Sequence, residues 1–262
     1  MKQADLKTTK NIEGTNLYLE YFKKFDNRPT IVFLHDSLGS VQLWRDFPAK
    51  LGKELNYNVL VYDRQGFGKS DPLPTYKRQY DYLEAETSVL NNLLTELKIE
   101  EAILFGHSDG GSIALIAASM YPEKIKAIIV EAGHVFVEDF ALKGINEAIH
   151  EYEQGNLAER LEKYHGDKTD TVFKAWTKTW TSEAFRDWSI EHFLPGITCP
   201  LLFIQGENDE YATLDQVERT VSQVSGRAEK FIVPGAGHTP HKEVPEAIIT
   251  GTAEFLKNIS KA

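Results

Sequence analysis

Cysteine is nearly absent from this chain. Cys199 is the only one in 262 residues, which excludes an intrachain disulfide framework and fits a reducing compartment. It stands before Pro200 and the apolar run Leu201-Leu202-Phe203-Ile204, the setting of a buried structural thiol. Long apolar runs are missing as well. No stretch approaches the ~20 apolar residues that span a bilayer. The N-terminus, Met1-Lys2-Gln3-Ala4-Asp5, has no apolar segment after its lysine and so does not read as a secretory signal. The expected location is the cytoplasm, with no membrane partner. Basic charge is in deficit: 29 Lys+Arg against 39 Asp+Glu leave a formal net charge of −10. That balance argues against nucleic acid as a partner and weakly favours neutral or cationic small substrates. There is no His-Glu-x-x-His and no cysteine cluster, so no metal is expected. Internal repeats and low-complexity tracts are missing too.

What is present is an alternation of strand-like and helical segments. Residues 5–22 read as a polar hairpin turning at Glu13-Gly14-Thr15-Asn16, and Thr30–Leu34 as a short buried strand. A helix is expected over 41–54, a strand over 57–62 and a long amphipathic helix over 80–98. A strand at 102–105 leads into a helix after Ser108, and further strands are expected at 126–130, 199–205 and 229–233. A closing helix covers 242–258. This pattern predicts an α/β fold with a mainly parallel sheet of about eight strands, flanked by helices. Residues 135–196 break the alternation: they are charged, aromatic and helical in pattern. We read 1–134 and 197–262 as the core domain, and 135–196 as a helical cap insertion over the carboxyl ends of the strands, where open α/β sheets bind ligands.

Gly106-His107-Ser108-Asp109-Gly110-Gly111 lies between the apolar strand Ala102–Phe105 and an alanine-rich helix. Strand, Gly-x-Ser-x-Gly and helix together form the context of a nucleophile elbow, a sharp turn that exposes a serine hydroxyl at a helix N-terminus. A serine needs a base to become a nucleophile. Two later loops, each at the carboxyl end of a strand, supply the partners: Asp209 within Gly206-Glu207-Asn208-Asp209, and His238 within Gly235-Ala236-Gly237-His238. His238 is expected to take the proton of Ser108 and Asp209 to fix the imidazole. Glu131, at the end of another strand, is an alternative acid. Glu207 and Glu210 read as solvated turn residues, His107 as packing beneath the elbow, and His241 as lying near the start of the last helix. The oxyanion donors are expected to be the backbone N–H groups of Asp109 and Ser37, the latter in the loop His35–Ser40. No cofactor is required.

These motifs, with Asp63-Arg64-Gln65-Gly66-Phe67-Gly68-Lys69-Ser70, resemble the α/β-hydrolase fold superfamily over nearly the whole chain. Within it, Ser108–Ala118 is similar to the valacyclovir hydrolase (biphenyl hydrolase-like) group. That resemblance implies hydrolysis of esters, including amino-acid esters. Two positions depart from the superfamily pattern. Asp36 replaces the glycine of the usual His-Gly, placing a carboxylate near the site, and Gln65 replaces the arginine of Arg-Gly.

Asp109, Asp36 and Trp44 are the candidate substrate-contacting residues. Asp109 either faces the pocket and receives a cationic group such as an α-ammonium, or hydrogen-bonds neighbouring loops. Trp44 lies either against the pocket or in the core. Trp176, Trp180, Phe185, Trp188 and Phe193 of the cap are expected to glue it to the sheet, with one or two lining an apolar pocket. The cap charges, among them Glu151, Glu153, Glu159, Arg160, Glu162 and Lys163, read as a solvated face. The sequence thus points to a serine esterase acting on a small carboxylic ester. Alternatives are a C–C bond, lactone or thioester hydrolase on the same fold, or a ligand receptor that keeps the three residues.

Overall fold

The computed structural model describes residues 5–259. The chain opens with the strands β1 (Asp5–Ile12) and β2 (Thr15–Phe22), paired as an antiparallel hairpin. Glu13 and Gly14 at its tip both have positive φ, 49° and 87°, the combination that lets a two-residue turn follow the strand twist. Then come β3 (Thr30–Leu34), α1 (Phe47–Leu55), β4 (Asn58–Tyr62), α2 (Tyr82–Glu96), β5 (Ala102–His107), α3 (Asp109–Met120) and β6 (Ile125–Glu131). Three helices follow without a strand: α4 (Asp139–Gln154), α5 (Leu157–His165) and α6 (Thr169–Trp180). The chain finishes with β7 (Leu201–Gly206), α7 (Asp215–Gln223), β8 (Ala228–Val233), α8 (Pro240–Glu243) and α9 (Pro245–Ile259).

Among the described residues the eight strands form one sheet in the order β1-β2-β4-β3-β5-β6-β7-β8. The pairs from β4 through β3, β5, β6 and β7 to β8 are all parallel. A parallel strand buried on both faces is apolar at every position. In β3, Ile31 and Phe33 face one helix layer while Val32 and Leu34 face the other. The first core is built with α1 and α9 through Phe47, Leu51, Ile248 and Phe255. The second is built with α2 and α3 through Leu90, Leu94, Ile113 and Ile116, and it extends to Trp180, Phe185 and Trp188.

Two expected helices are each split, and in both a proline stands in the first turn after the break. The 41–54 segment is a 3-10 turn at Val41–Trp44, then Arg45 at φ 53°, then α1 with Pro48 in its first turn. A proline fits there because the N–H it lacks would have no helical acceptor. The closing helix divides at Val244, which adopts an extended φ of −135° because Pro245 disfavours helix in the residue before it. Among the described residues no helix is long and apolar enough to cross a membrane.

Candidate active site

The carboxyl ends of the parallel strands deliver the site. β5 ends at His107, and Ser108 follows at φ 55°, ψ −120° before α3 begins at Asp109. This left-handed backbone costs an L-residue ~1–3 kcal/mol and persists only where its surroundings enforce it. Here they do: the Ser108 N–H donates to the Glu131 carbonyl (2.9 Å), and its own carbonyl accepts from Gly111 N–H (2.8 Å). Passage of the chain demands glycine on both sides. A Cβ on Gly106 would stand 2.1 Å from the Gly110 carbonyl oxygen, and one on Gly110 would stand 2.0 Å from that of Leu34.

Asp209 lies in the loop after β7 and His238 in the loop after β8. His238 Nδ1–H donates to Asp209, 2.9 Å from each carboxylate oxygen. Asp209 also accepts from Gln205 Nε2 (2.6 Å) and from the N–H groups of Tyr211 (2.8 Å) and Ala212 (3.2 Å). Burial works to raise the Asp209 carboxyl, but the His238 charge and these hydrogen bonds outweigh it and hold its pKa below the usual range. Burial likewise opposes the His238 imidazolium, yet the charge and hydrogen bond of Asp209 leave its pKa above the ordinary value. Ser108 and His238 line the same cavity, of about 300 Å³. Among the described residues no hydrogen bond closes between the Ser108 hydroxyl and His238.

The loop after β3 also faces this cavity, through Asp36, Ser37 and Leu38. Its Asp36 carboxylate accepts from the Leu38 N–H (2.7 Å) and meets His107 Nδ1 at 3.3 Å. Burial works to raise the Asp36 carboxyl, but His107 and the nearby Lys242 charge hold it well below the usual range. Asp109 is the first residue of α3, where backbone N–H groups have no intrahelical acceptor.

The Asp109 side chain settles between the two expected placements. It borders the cavity, but its carboxylate is buried against protein: it accepts from the Tyr82 hydroxyl (3.1 Å) and stands 3.9 Å from the buried Arg64 guanidinium. Trp180 Nε1–H in turn donates to the Tyr82 oxygen (3.1 Å). Burial, with the Asp109 charge, pushes the Tyr82 phenol well above its usual pKa and keeps it a donor.

Trp44 does not reach the cavity. It is 3 % exposed and packs in the core against Phe33, Phe47, Phe105 and His241, because its 3-10 turn aims the indole beneath the sheet edge; Leu43 lines the cavity instead. Arg160 is exposed, as expected of a solvated face, and it also borders the cavity from α5, alongside Trp176 and Trp180 of α6. Phe185 and Trp188 stack on each other with ring centroids 5.3 Å apart inside the core. Glu131 serves His241 rather than His238, accepting both its N–H (2.8 Å) and its Nδ1–H.

Glu207 and Glu210 are exposed, but they are not idle turn residues. Glu207 accepts the Gly235 N–H (3.0 Å), Glu210 the His238 N–H (3.1 Å), and Glu243 the Gly237 N–H (2.8 Å). His107 Nε2–H donates to the His238 carbonyl (2.8 Å) from beneath. The loop that carries His238 is therefore clamped on both sides. The roles of Arg64, Tyr82 and these glutamate clamps carried no signal in the sequence, although Arg64 and Glu207 lie within the motifs quoted above, since each acts across the fold on a backbone or side chain far from it in the chain. Among the described residues one trio has metal-ligand chemistry: His107, Glu131 and His241, with ligand atoms within 4.8 Å of one another. The bonds just described already engage donor and acceptor atoms of all three, and all three are buried.

A sequence profile of the alpha/beta hydrolase fold matches residues 29–177. The chain belongs to the alpha/beta hydrolase family. This alpha/beta hydrolase is 26% identical over 258 residues to the human serine hydrolase BPHL, covering 95% of this chain and 87% of that protein. It is 25% identical over 275 residues to a 2-hydroxy-6-oxononadienedioate/2-hydroxy-6-oxononatrienedioate hydrolase of Burkholderia vietnamiensis, covering 94% of this chain and 93% of that one. Among solved structures, MGS-M2, an alpha/beta hydrolase from a deep-sea metagenome, superposes with a TM-score of 0.77 at 21% identity, covering 95% and 97% of the two chains. The BPHL likeness agrees with the narrower resemblance read from Ser108–Ala118. The hydrolase family is coherent; the reactions its members are named for are varied.

Proposed function

We propose that this hydrolase cleaves small carboxylic esters through an acyl intermediate on Ser108. The observation that carries the reading is the alignment of His238, held at Nδ1 by a buried Asp209, over the same cavity as a serine in a strained strand-to-helix turn. Ser108 Oγ attacks the ester carbonyl while His238 Nε2 takes its proton. Asp209 keeps the Nδ1–H tautomer and stabilises the imidazolium. The carbonyl oxygen, now an oxyanion, rests on the backbone N–H groups of Ser37 and Asp109. His238 returns the proton to the departing alkoxide, which leaves as the alcohol. Water, deprotonated by the same imidazole, then attacks the acyl-Ser108 carbonyl and releases the acid.

We further read α4–α6, with its flanking turns, as a cap over the cavity. Its Ala141, Ile145, Leu161, Trp176 and Trp180 give that side an apolar wall suited to the hydrocarbon part of an acyl or alcohol group. Asp109 acts as a structural anchor: Arg64 already balances its charge, and an incoming ammonium would have to displace the Tyr82 hydroxyl. The reading therefore asks for an ester and no α-ammonium. The location is taken to be the cytoplasm, on the lone cysteine of the sequence.

A fluorophosphonate probe and p-nitrophenyl acetate test the proposal together. The wild type is expected to label and to turn over many equivalents of ester, and Ser108→Ala to do neither. Labelling or turnover undiminished in Ser108→Ala overturns it, and labelling with a single turnover returns the receptor reading.

A further inference from the structure

The α5–α6 junction meets the core beside the loop that carries Ser37. His165, the last residue of α5, is 1 % exposed. Its Nε2–H donates to the Leu38 carbonyl (2.9 Å), and its Nδ1 accepts from the Gly68 N–H (3.1 Å). Lys168, three residues on, donates to the carbonyls of Gly68 (2.7 Å) and Ser70 (2.6 Å). Both residues therefore fasten α4–α6 to the core. Among the described residues, only the His165 bond reaches from these helices to the loop after β3.

That bond stands at the end of a chain of peptide planes. The Leu38 carbonyl held by His165 belongs to the same planar unit as the Gly39 N–H, which donates to the Asp36 carbonyl (3.2 Å). The Asp36 carbonyl shares its plane with the Ser37 N–H. Arg64 Nη2 grips this second plane from the other side, donating to the Asp36 carbonyl (2.9 Å) and to that of His35 (3.2 Å). Within the loop, His35 Nδ1–H also donates to the Asp36 carbonyl (2.7 Å); from outside it, the direction of the Ser37 N–H is braced by two groups, one in the core and one in the helical segment.

We propose that His165 is a positioning residue for the reaction: through Leu38 and Gly39 it orients the Ser37 N–H as an oxyanion donor, so that its own bond from α5 to the loop after β3, rather than the seating of α4–α6 as a whole, completes the site. The proposal rests on the assignment of Ser37 made above. It gives this helical segment a part in the chemistry as well as in covering the cavity. A preorganised donor stabilises the transition state only in its correct direction, and misplacement by about 1 Å can cost ~100-fold.

The test compares His165→Asn, too short to span both partners, with His165→Gln, which offers one donor and one acceptor at longer reach. Lys168→Met is the control, since it loosens the same helical segment without touching the loop after β3. With p-nitrophenyl acetate, His165→Asn is expected to lose kcat by roughly 10- to 100-fold with KM within about twofold. His165→Gln is expected to recover most of that loss. Lys168→Met is expected to lower Tm yet keep kcat within about threefold, a change of under 1 kcal/mol in the barrier. If His165→Asn does not fold, His165→Phe, which keeps the ring volume, takes its place in the comparison. Equal kcat losses in the His165 and Lys168 variants, an unchanged kcat, or a change confined to KM overturns the proposal. Failure of the parent reading looks different: there the wild type itself does not label at Ser108.

Discussion

The substitution Asp209→Asn separates the roles of charge and geometry in the His238 pair. Asp209 is 5 % exposed and accepts from four donors: His238 Nδ1, Gln205 Nε2, and the N–H groups of Tyr211 and Ala212. An amide there can keep its oxygen on the two backbone donors. Its NH2 then faces Gln205, whose Oε1 is buried without a hydrogen-bond partner and becomes an acceptor if the Gln205 amide flips. The cost to folding is therefore small, ~1–2 kcal/mol for one imperfectly replaced charged hydrogen bond, or a Tm lower by about 2–8 °C in a chain of this size. The cost to catalysis is large. The same NH2 meets His238 Nδ1 and forces the proton onto Nε2, where it blocks acceptance of the Ser108 proton. A fall in kcat of about 10³–10⁴-fold follows. The pH profile moves with it. Asp209 raises the His238 pKa, so the acid limb of kcat/KM in the wild type is expected above the ordinary imidazole value of about 6.5. Without the carboxylate, burial is opposed only by the smaller effects of the Glu210 and Asp36 charges, and the limb shifts to lower pH. The assay is p-nitrophenyl acetate hydrolysis from pH 5 to 10 for both proteins, with Tm alongside. A variant within tenfold of wild type in kcat, or with an unmoved acid limb, refutes this account of the pair.

Three further outcomes are expected. Gly110→Ala places a Cβ 2.0 Å from the Leu34 carbonyl oxygen, which backbone alone must relieve; we expect kcat to fall by at least ~100-fold and Tm to drop, measured by esterase assay and thermal melt. An aminoacyl ester and its desamino analogue should show kcat/KM within a few fold of each other, and Asp109→Asn should lower both alike; a preference above ~100-fold for the aminoacyl ester, lost in Asp109→Asn, contradicts the anchoring role. Glu131→Leu leaves the His241 N–H and Nδ1–H without their buried acceptor and should cost ~2–4 kcal/mol, read as a Tm loss above about 4 °C.

The parallel sheet was legible because each buried strand is a short apolar run between polar helices, and Thr30–Leu34, Ala102–Phe105 and Leu201–Ile204 all read that way. The proximity of Asp209 to His238 followed from the same fact, since both sit just past strands that end on one edge of the sheet. What the sequence concealed acts between segments far apart in the chain. Arg64 and Tyr82 take up Asp109 only because α2 and the loop after β4 pack against α3. Trp44 follows a cavity-lining loop, yet a local break at Arg45 turns it into the core, and no periodicity announces such a break. Arg160 is exposed as read, but that it also borders the cavity depends on how α5 lies over the strands, a tertiary arrangement that a polar helix face does not encode. Glu207 and Glu210 looked like ordinary turn carboxylates; their partners are backbone N–H groups 28 residues further on.

The central claim is a covalent acyl group on Ser108. Wild-type protein mixed with p-nitrophenyl butyrate, quenched in acid within the first turnover and digested, is expected to give a peptide containing Ser108 that is heavier by one butyryl group, absent from Ser108→Ala. Sustained hydrolysis with no acylated Ser108 peptide at any quench time, or hydrolysis that survives in Ser108→Ala, contradicts the account.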